Sequence, residues 1–394
     1  MLPVRRAVGT SAAVALIAYL AGGIGTTAEA AAPLEPPGGT HDSTGRDWAR
    51  SAADDIDYLD ARFKMRRVLD WGDRPNWSPD GRRLIFTESD SEDSPAYELD
   101  LDTGEVRCLT CQWGPKGLVT RIYHLPDSSF LIEAGPDLAN SSSGTGTGSG
   151  PGLLATELYW MPATAATPPQ PLDAQASGEV AISPRPTSDG GFRIAWSGVK
   201  TLGQITLGEL VHDGKRAAIV NRRAITTPLP RADGSVGGYG EPYDFARNDA
   251  AVTFWGLGFE LPANGEMFEL DLATGATRRL YRDRSHNETH LFAGERFGLE
   301  ESNRASDPEG PASGISGLVG AVPMVGGPFD LFVVALDGSD RVRRLTHVSD
   351  IGGQANQSIP APDGRQIAFV LQAPSSGPLA GLDGLYVGKF TSGR

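Results

Sequence analysis

The chain has 394 residues, a formal net charge of −14, 50 glycines, 29 prolines and 21% charged residues. That balance excludes a disordered chain and a membrane-embedded one, and the glycine and proline content suits a turn-rich all-β protein. The acidity disfavours nucleic acid as a partner, because phosphate binding needs a basic footprint.

Residues 1–30 read as a signal peptide. Arg5 and Arg6 supply its charged end, Ala12 to Leu20 an apolar core too short to span a bilayer, and Ala28-Glu29-Ala30 a small-x-small cleavage site. The flanking residues fit ordinary secretion better than twin-arginine export. The mature chain is expected to carry no transmembrane segment and to be secreted or held in the periplasm or cell envelope. Residues 31–65 read as a Pro/Gly/Ser linker and then a short helix from Arg46 to Met65. Asp47 is its cap, and Trp48, Ile56, Leu59 and Phe63 recur at helical spacing.

Residues 66–394 read as one domain of repeats, with 66–72 a strand leading into the first. Residues 77–88 are WSPDGRRLIFTE: a Pro-Asp-Gly turn followed by a strand apolar on both faces. The pattern returns as APDGRQIAFV (361–370). A second pattern, strand, Asp/Gly turn, strand, recurs as YELDLDTGEVRCLT (97–110), MFELDLATGATRRLY (267–281) and LFVVALDGSDRVRRLT (331–346). Aligning the strands gives six units, with turns at Asp80, Asp127, Asp189, Asp249, Gly294 and Asp363, roughly 45 to 70 residues apart. Each unit has room for four short strands. The expected fold is an all-β, six-bladed β-propeller of four-stranded blades, with a short N-terminal helix after the signal peptide. Residues 140–152 are a low-complexity loop. Residues 306–328, apolar but broken by Gly and Pro, are a long connection or a lid. The connector 221–245 carries Arg222, Arg223 and Arg231, expected to pair with nearby acids.

Cys108 and Cys111 are the only cysteines. In an exported chain the pair reads as a local disulfide at a strand end. A redox site would want a helix N-terminus, and zinc would want two further ligands.

The WSPDGRRLIF stretch, its echo and the strand–turn–strand units resemble the TolB-like β-propeller repeat family. The resemblance covers most of residues 70–394 and implies an exported six-bladed propeller with protein partners. The same repeat also occurs in the propeller parts of peptidases and in sugar-acid lyases. No G-x-S-x-G elbow is present, which removes the prolyl-peptidase reading.

In a propeller the innermost strand of each blade lines the central channel. Residues just before each turn are therefore expected near its mouth: Arg74 and Asn76, Arg121 and His124, Glu241 and Asp244, Glu288 and His290, and Gln354, Asn356 and Gln357. A water-filled polar channel needs no function to explain such a set. As a binding site it offers Asn76, His124, Asp244, His290, Gln354 and Asn356. As a catalytic site it offers His124, Glu288 and His290, where a neutral imidazole suits a general base or a metal ligand. His286 and His290 share a strand face about 13 Å apart, too far to chelate together. Any ligand set must therefore come from several blades. The chain also looks like the exported oligogalacturonate lyases, which hold manganese with histidines and a glutamine. That resemblance rests on the blade pattern, His290 before a blade strand and Gln354 before the last, and implies a divalent metal; a ligand set drawn from several blades is His124, His290 and His347 with Gln354, although Asn356 and Gln357 stand where further histidines are expected. Two functions follow: binding of a protein or cell-envelope partner through the loop face and channel mouth, or metal-dependent lyase or hydrolase action on an oligosaccharide at the same mouth.

Overall fold

The computed structural model describes residues 56–392, apart from 89–93, 114–118, 136–155, 177, 199–203, 228–238, 258–264, 282–284, 286, 307–316, 320–321, 325–327 and 375–379. The expected signal peptide and linker, and residues 140–152, lie outside the described residues.

Six four-stranded antiparallel sheets form the blades of a propeller. Strand β1 (Arg62–Leu69) comes first and belongs to the last blade. Blade 1 is β2 (Asp73–Trp77), β3 (Arg83–Thr87), β4 (Ala96–Asp100) and β5 (Val106–Cys108). Blade 2 is β6 (Val119–His124), β7 (Phe130–Ala134), β8 (Thr156–Met161) and β9 (Gln170–Ala176). Blade 3 is β10 (Val180–Pro186), β11 (Phe192–Trp196), β12 (Gln204–His212) and β13 (Ala217–Thr226). Blade 4 is β14 (Tyr239–Ala246), β15 (Ala251–Leu257), β16 (Gly265–Asp271) and β17 (Thr277–Arg279). Blade 5 is β18 (Asn287–Leu291), β19 (Phe297–Ser302), β22 (Asp330–Ala335) and β23 (Val342–Arg344), with a hairpin of β20 (Gly317–Val319) and β21 (Val322–Met324) between its second and third strands. Blade 6 is β24 (Gln354–Pro360), β25 (Gln366–Gln372) and β26 (Gly384–Thr391), and β1 completes it by pairing antiparallel with β26.

The turns are built as their sequence dictates. In blade 1 the Ser78 hydroxyl bonds Asp80 at 2.5 Å, the Arg82 amide donates to the same carboxylate, and Gly81 takes φ 68°. Blade 6 repeats this with Asp363 accepting from the Arg365 amide and Gly364 at φ 64°. Blade 2 uses Asp127 with Ser128 in the left-handed region at φ 71°. A short polar side chain tolerates that conformation where a branched one would not.

The second strand of each blade is buried on both faces because neighbouring blades sandwich it. Leu84, Ile85 and Phe86 are 0% exposed. Ile85 packs with Ile122, Phe130, Ile132 and Tyr159 of blade 2, and Trp160 and Leu131 of blade 2 with Phe192, Ile194 and Trp196 of blade 3. Each fully buried large apolar side chain contributes about 1.5–3 kcal/mol.

Three expectations need correction. Where the described residues begin, at Ile56, the chain makes a turn and is in strand β1 from Arg62, so the helix expected to Met65 does not reach that far. The remainder of that helix lies outside the described residues. Strand β1 also does not lead into blade 1: it is the outer strand of blade 6. Ile56, Tyr58 and Ala61 plug the seam between blades 5 and 6, with the Tyr58 ring stacked 4.0 Å from Phe292. Arg222 and Arg223 sit on β13 and donate mainly to backbone carbonyls, Arg222 to Leu172 and Asp173 and Arg223 to Leu272, so they tie blade 3 to its neighbours. Arg231 lies outside the described residues. Cys108 and Cys111 form a disulfide at the end of β5.

Candidate functional site: the channel mouth and throat

The inner strands β2, β6, β10, β14, β18 and β24 end in turns that gather around one mouth. Pro79, Pro126, Pro184, Gly294 and Pro362, from five blades, surround a cavity of about 300 Å³. Its wall is largely apolar, with Trp77, Val180, Ile182, Phe245, Leu291 and Phe292 among the lining residues. Below it lies a narrower throat of about 30 Å³, sharing Asn76, Tyr123, Glu179, Tyr243 and His290 with the mouth. The mouth is thus a greasy funnel and the throat is polar.

Alternation along the inner strands sets the throat lining, since residues two apart share a face. Arg121 and Tyr123, and Glu288 and His290, are such pairs, and Tyr243 of β14 joins them. Arg121 forms an ion pair with Glu179, lies 3.4 Å from Glu241 and reaches Gln357 at 3.5 Å. Glu241 accepts from the Glu179 amide, the Tyr123 hydroxyl donates to Glu179 at 2.7 Å, and the Tyr243 hydroxyl donates to Glu288 at 2.7 Å. Glu301 accepts from the Ser358 amide.

This crowd of carboxylates shifts their proton affinities. Burial, with Glu179 and Glu288 nearby, pushes Glu241 up to about 8 despite the opposing Arg121. Burial and Glu288 push Glu301 up to about 8, and burial pushes Glu133, behind Arg121, to about 7. Burial works against a charged His290, but the Asp244 carboxylate 3.3 Å from its Nδ1 overcomes that and raises its pKa. Asp244 also accepts from the Leu291 amide at 2.9 Å, which fixes the pair on the funnel wall.

The residues expected at the mouth separate into distinct places. Asn76, Asp244, Glu288 and His290 line the funnel or throat. His124 borders the funnel, but its ring is 0% exposed, with Nε2 3.5 Å from Glu98 of blade 1. Burial, outweighing Glu98, lowers its pKa. His347 is exposed outside the outer strand of blade 5, 3.5 Å from Asp350. Gln354 donates to Gln372, its direct partner across the β24–β25 ladder, and Asn356 is buried on β24. The structure therefore does not bring His124, His290, His347 and Gln354 together as ligands. Among the described residues, no cluster of three or more His, Cys, Asp or Glu side chains suits a metal ion. As placed, the four residues expected as ligands do not form a site for one metal ion.

Glu179, Glu301, Tyr123 and Tyr243 also build the throat and were not expected there. The i, i+2 recurrence of charged residue and tyrosine at 121/123 and 241/243 was the available signal. Glu301 lies on a second strand, where the inner-strand rule does not look.

The fold and the axial cavity define a six-bladed β-propeller with a funnel at one face. No protein-family model matches the chain, and no curated protein matches it by sequence. Among solved structures the chain is similar to TolB from Acinetobacter baumannii, at 11% identity and a TM-score of 0.45 over 79% of this chain and 64% of that one. It is also similar to an oligogalacturonate lyase from Vibrio parahaemolyticus, at 10% identity and a TM-score of 0.42 over 84% of this chain and 96% of that one. A gluconolactonase from Xanthomonas campestris gives 12% identity and a TM-score of 0.45 over 84% and 90%. The chain spans 64% of the Acinetobacter TolB.

Proposed function

We propose that the protein is an exported binding module that takes an extended segment of a partner protein of the cell envelope, or of a secreted protein, into the funnel. The observation that carries this is the funnel itself: a preformed cavity of about 300 Å³ with proline, aromatic and aliphatic walls ending on fixed polar groups. Apolar walls with a few placed polar groups are the usual make-up of a binding cavity. Rigid turns from several blades form the rim, so little ordering opposes binding. Among the described residues no helix is long and apolar enough to cross a membrane.

The test is selection of a random linear-peptide display library on the whole protein. Ile182→Arg, which fills the funnel, serves as the control. Enriched peptides that bind the wild type and lose affinity on Ile182→Arg support the reading. Absence of any such peptide overturns it.

A second reading is favoured by one feature, the Asp244–His290 pair on the funnel wall. A carboxylate-oriented imidazole there could serve as a base on an acidic oligosaccharide. The histidine and glutamine set expected for metal-dependent lyase chemistry is not assembled, so no step is assigned to a metal. Release of unsaturated product from oligogalacturonate, abolished by His290→Gln, would favour this second reading over binding alone.

A further inference from the structure

Glu288 and Glu301 stand directly opposite each other on the β18–β19 ladder, and both line the throat. Like charges directly opposite on a sheet repel. Here they do so at the foot of a cavity that opens to the outside. Arg121 is engaged with Glu179 of blade 3 and Glu241 of blade 4. On the same wall the Ser358 hydroxyl lies beside Glu301 and is 2% exposed, yet it has no hydrogen-bond partner of good geometry among the described residues. The throat thus combines closely set carboxylates with an acceptor oxygen left over. Its complement is a cation that donates several hydrogen bonds.

The shape narrows the choice. The throat is about 30 Å³ and is reached through the funnel. An ammonium on a thin, flexible stem passes into such a space. A planar guanidinium, with more heavy atoms at its tip, fits it poorly. A chain N-terminus carries its own Cα and side chain into the constriction, whereas lysine offers four methylenes that suit the apolar funnel above. Building on the binding reading, we propose that the partner segment inserts one lysine side chain, its stem along the funnel wall and its ammonium between Glu288, Glu301 and Ser358. The raised proton affinity of Glu301, set by burial and by Glu288, supports this, because a cation held between the two carboxyls would favour their ionised forms.

The experiment uses the peptides selected on the whole protein, resynthesised with blocked N-termini. Affinity is measured by calorimetry for each parent peptide and for its versions with lysine replaced by Nε-acetyl-lysine, norleucine or arginine. We expect one lysine position whose acetylation weakens binding roughly tenfold or more. We also expect binding of the parent to release protons to buffer, because the ammonium favours the ionised carboxylates. Glu288→Gln and Glu301→Gln should each erase the preference for lysine over norleucine; thermal melts confirm that both variants fold. Peptides that bind at the funnel without lysine dependence overturn this inference and leave the binding reading standing. Binding that requires a free N-terminus or favours arginine overturns the lysine assignment. If no peptide binds in the Ile182-sensitive manner, the binding reading fails first and this inference falls with it.

Discussion

Phe63 and Phe390 are direct partners across the β1–β26 ladder, with ring centroids 5.1 Å apart, so the first and last described strands share one blade. Phe390 is 1% exposed and also meets Tyr58 and Phe292 edge-on, at 5.0 and 5.7 Å. The Tyr58 hydroxyl donates to the Gly364 carbonyl at 2.6 Å, which fastens the same seam. Truncating a fully buried phenylalanine removes its transfer free energy and leaves a cavity. Phe390→Ala should therefore cost about 3–5 kcal/mol in urea unfolding. Phe63→Ala, at a partly exposed ring, should cost less. Equal losses at the two positions would contradict this account of the seam.

The blades were legible in sequence because their turns are local chemistry. Asp80 with Gly81 and Asp363 with Gly364 announce themselves within a few residues, and the strands between them are continuously apolar. The closing strand was not legible for two reasons. Its eight residues, RFKMRRVL, are mostly exposed and show no apolar alternation, and its partner lies over 300 positions away in the chain. Ile56, Leu59 and Phe63 were read as one face of a helix. They do pack on a single cluster, but a turn and a strand bring them there. The site was half legible for a similar reason. Period-two alternation puts Arg121 and Tyr123 in the channel and turns His124 toward Glu98 in the next blade. A histidine just before a turn therefore need not face the mouth.

Arg121 is the hinge of the throat's electrostatics. Its side chain is 11% exposed and ion-paired to Glu179, with Glu241 3.4 Å away. Removing one partner from a buried ion pair leaves uncompensated charge and costs about 3–5 kcal/mol. Arg121→Gln should show that loss at pH 8. At about pH 5 the loss should be smaller, because Glu241 can take up a proton instead. Chemical denaturation at the two pH values measures both. A pH-independent cost would mean that the arginine acts through packing alone.

The Cys108–Cys111 bridge closes a very short loop at the outer edge of blade 1. Loop-closure entropy grows with loop length, so a bridge this local contributes little. Reduction, or a double serine variant, should cost about 2 kcal/mol or less. Unfolding monitored with and without reductant is the check. A loss of cooperative folding on reduction would show that the bridge holds more than the end of β5.

The throat's carboxyls set the direction of the protein's pH response. Glu241 and Glu301, at about 8, and Glu133, at about 7, all bind protons more tightly in the fold than an ordinary glutamate does. Between the unfolded glutamate range and those values the folded state holds more protons than the unfolded state, so stability must fall as pH rises. His290 acts in the same direction. Its raised pKa means that its contribution is complete below the ordinary histidine value and is lost as pH rises through the folded one. On the acid side, Asp337 is held down to about 2 by its hydrogen bonds to Ser339, chiefly, and by Arg341, and it loses that contribution as pH falls. The melting temperature should therefore peak at about pH 5–6 and decline toward pH 8. Glu301→Gln removes one of the groups that make stability fall with rising pH and keeps the shape of the side chain. It should raise the melting temperature at pH 8, leave it nearly unchanged at pH 5, and flatten the slope between. A wild-type profile that rises from pH 5 to pH 8 would show that these carboxyls are ionised in the folded protein, and the repulsion between Glu288 and Glu301 would then have to be relieved by some other group.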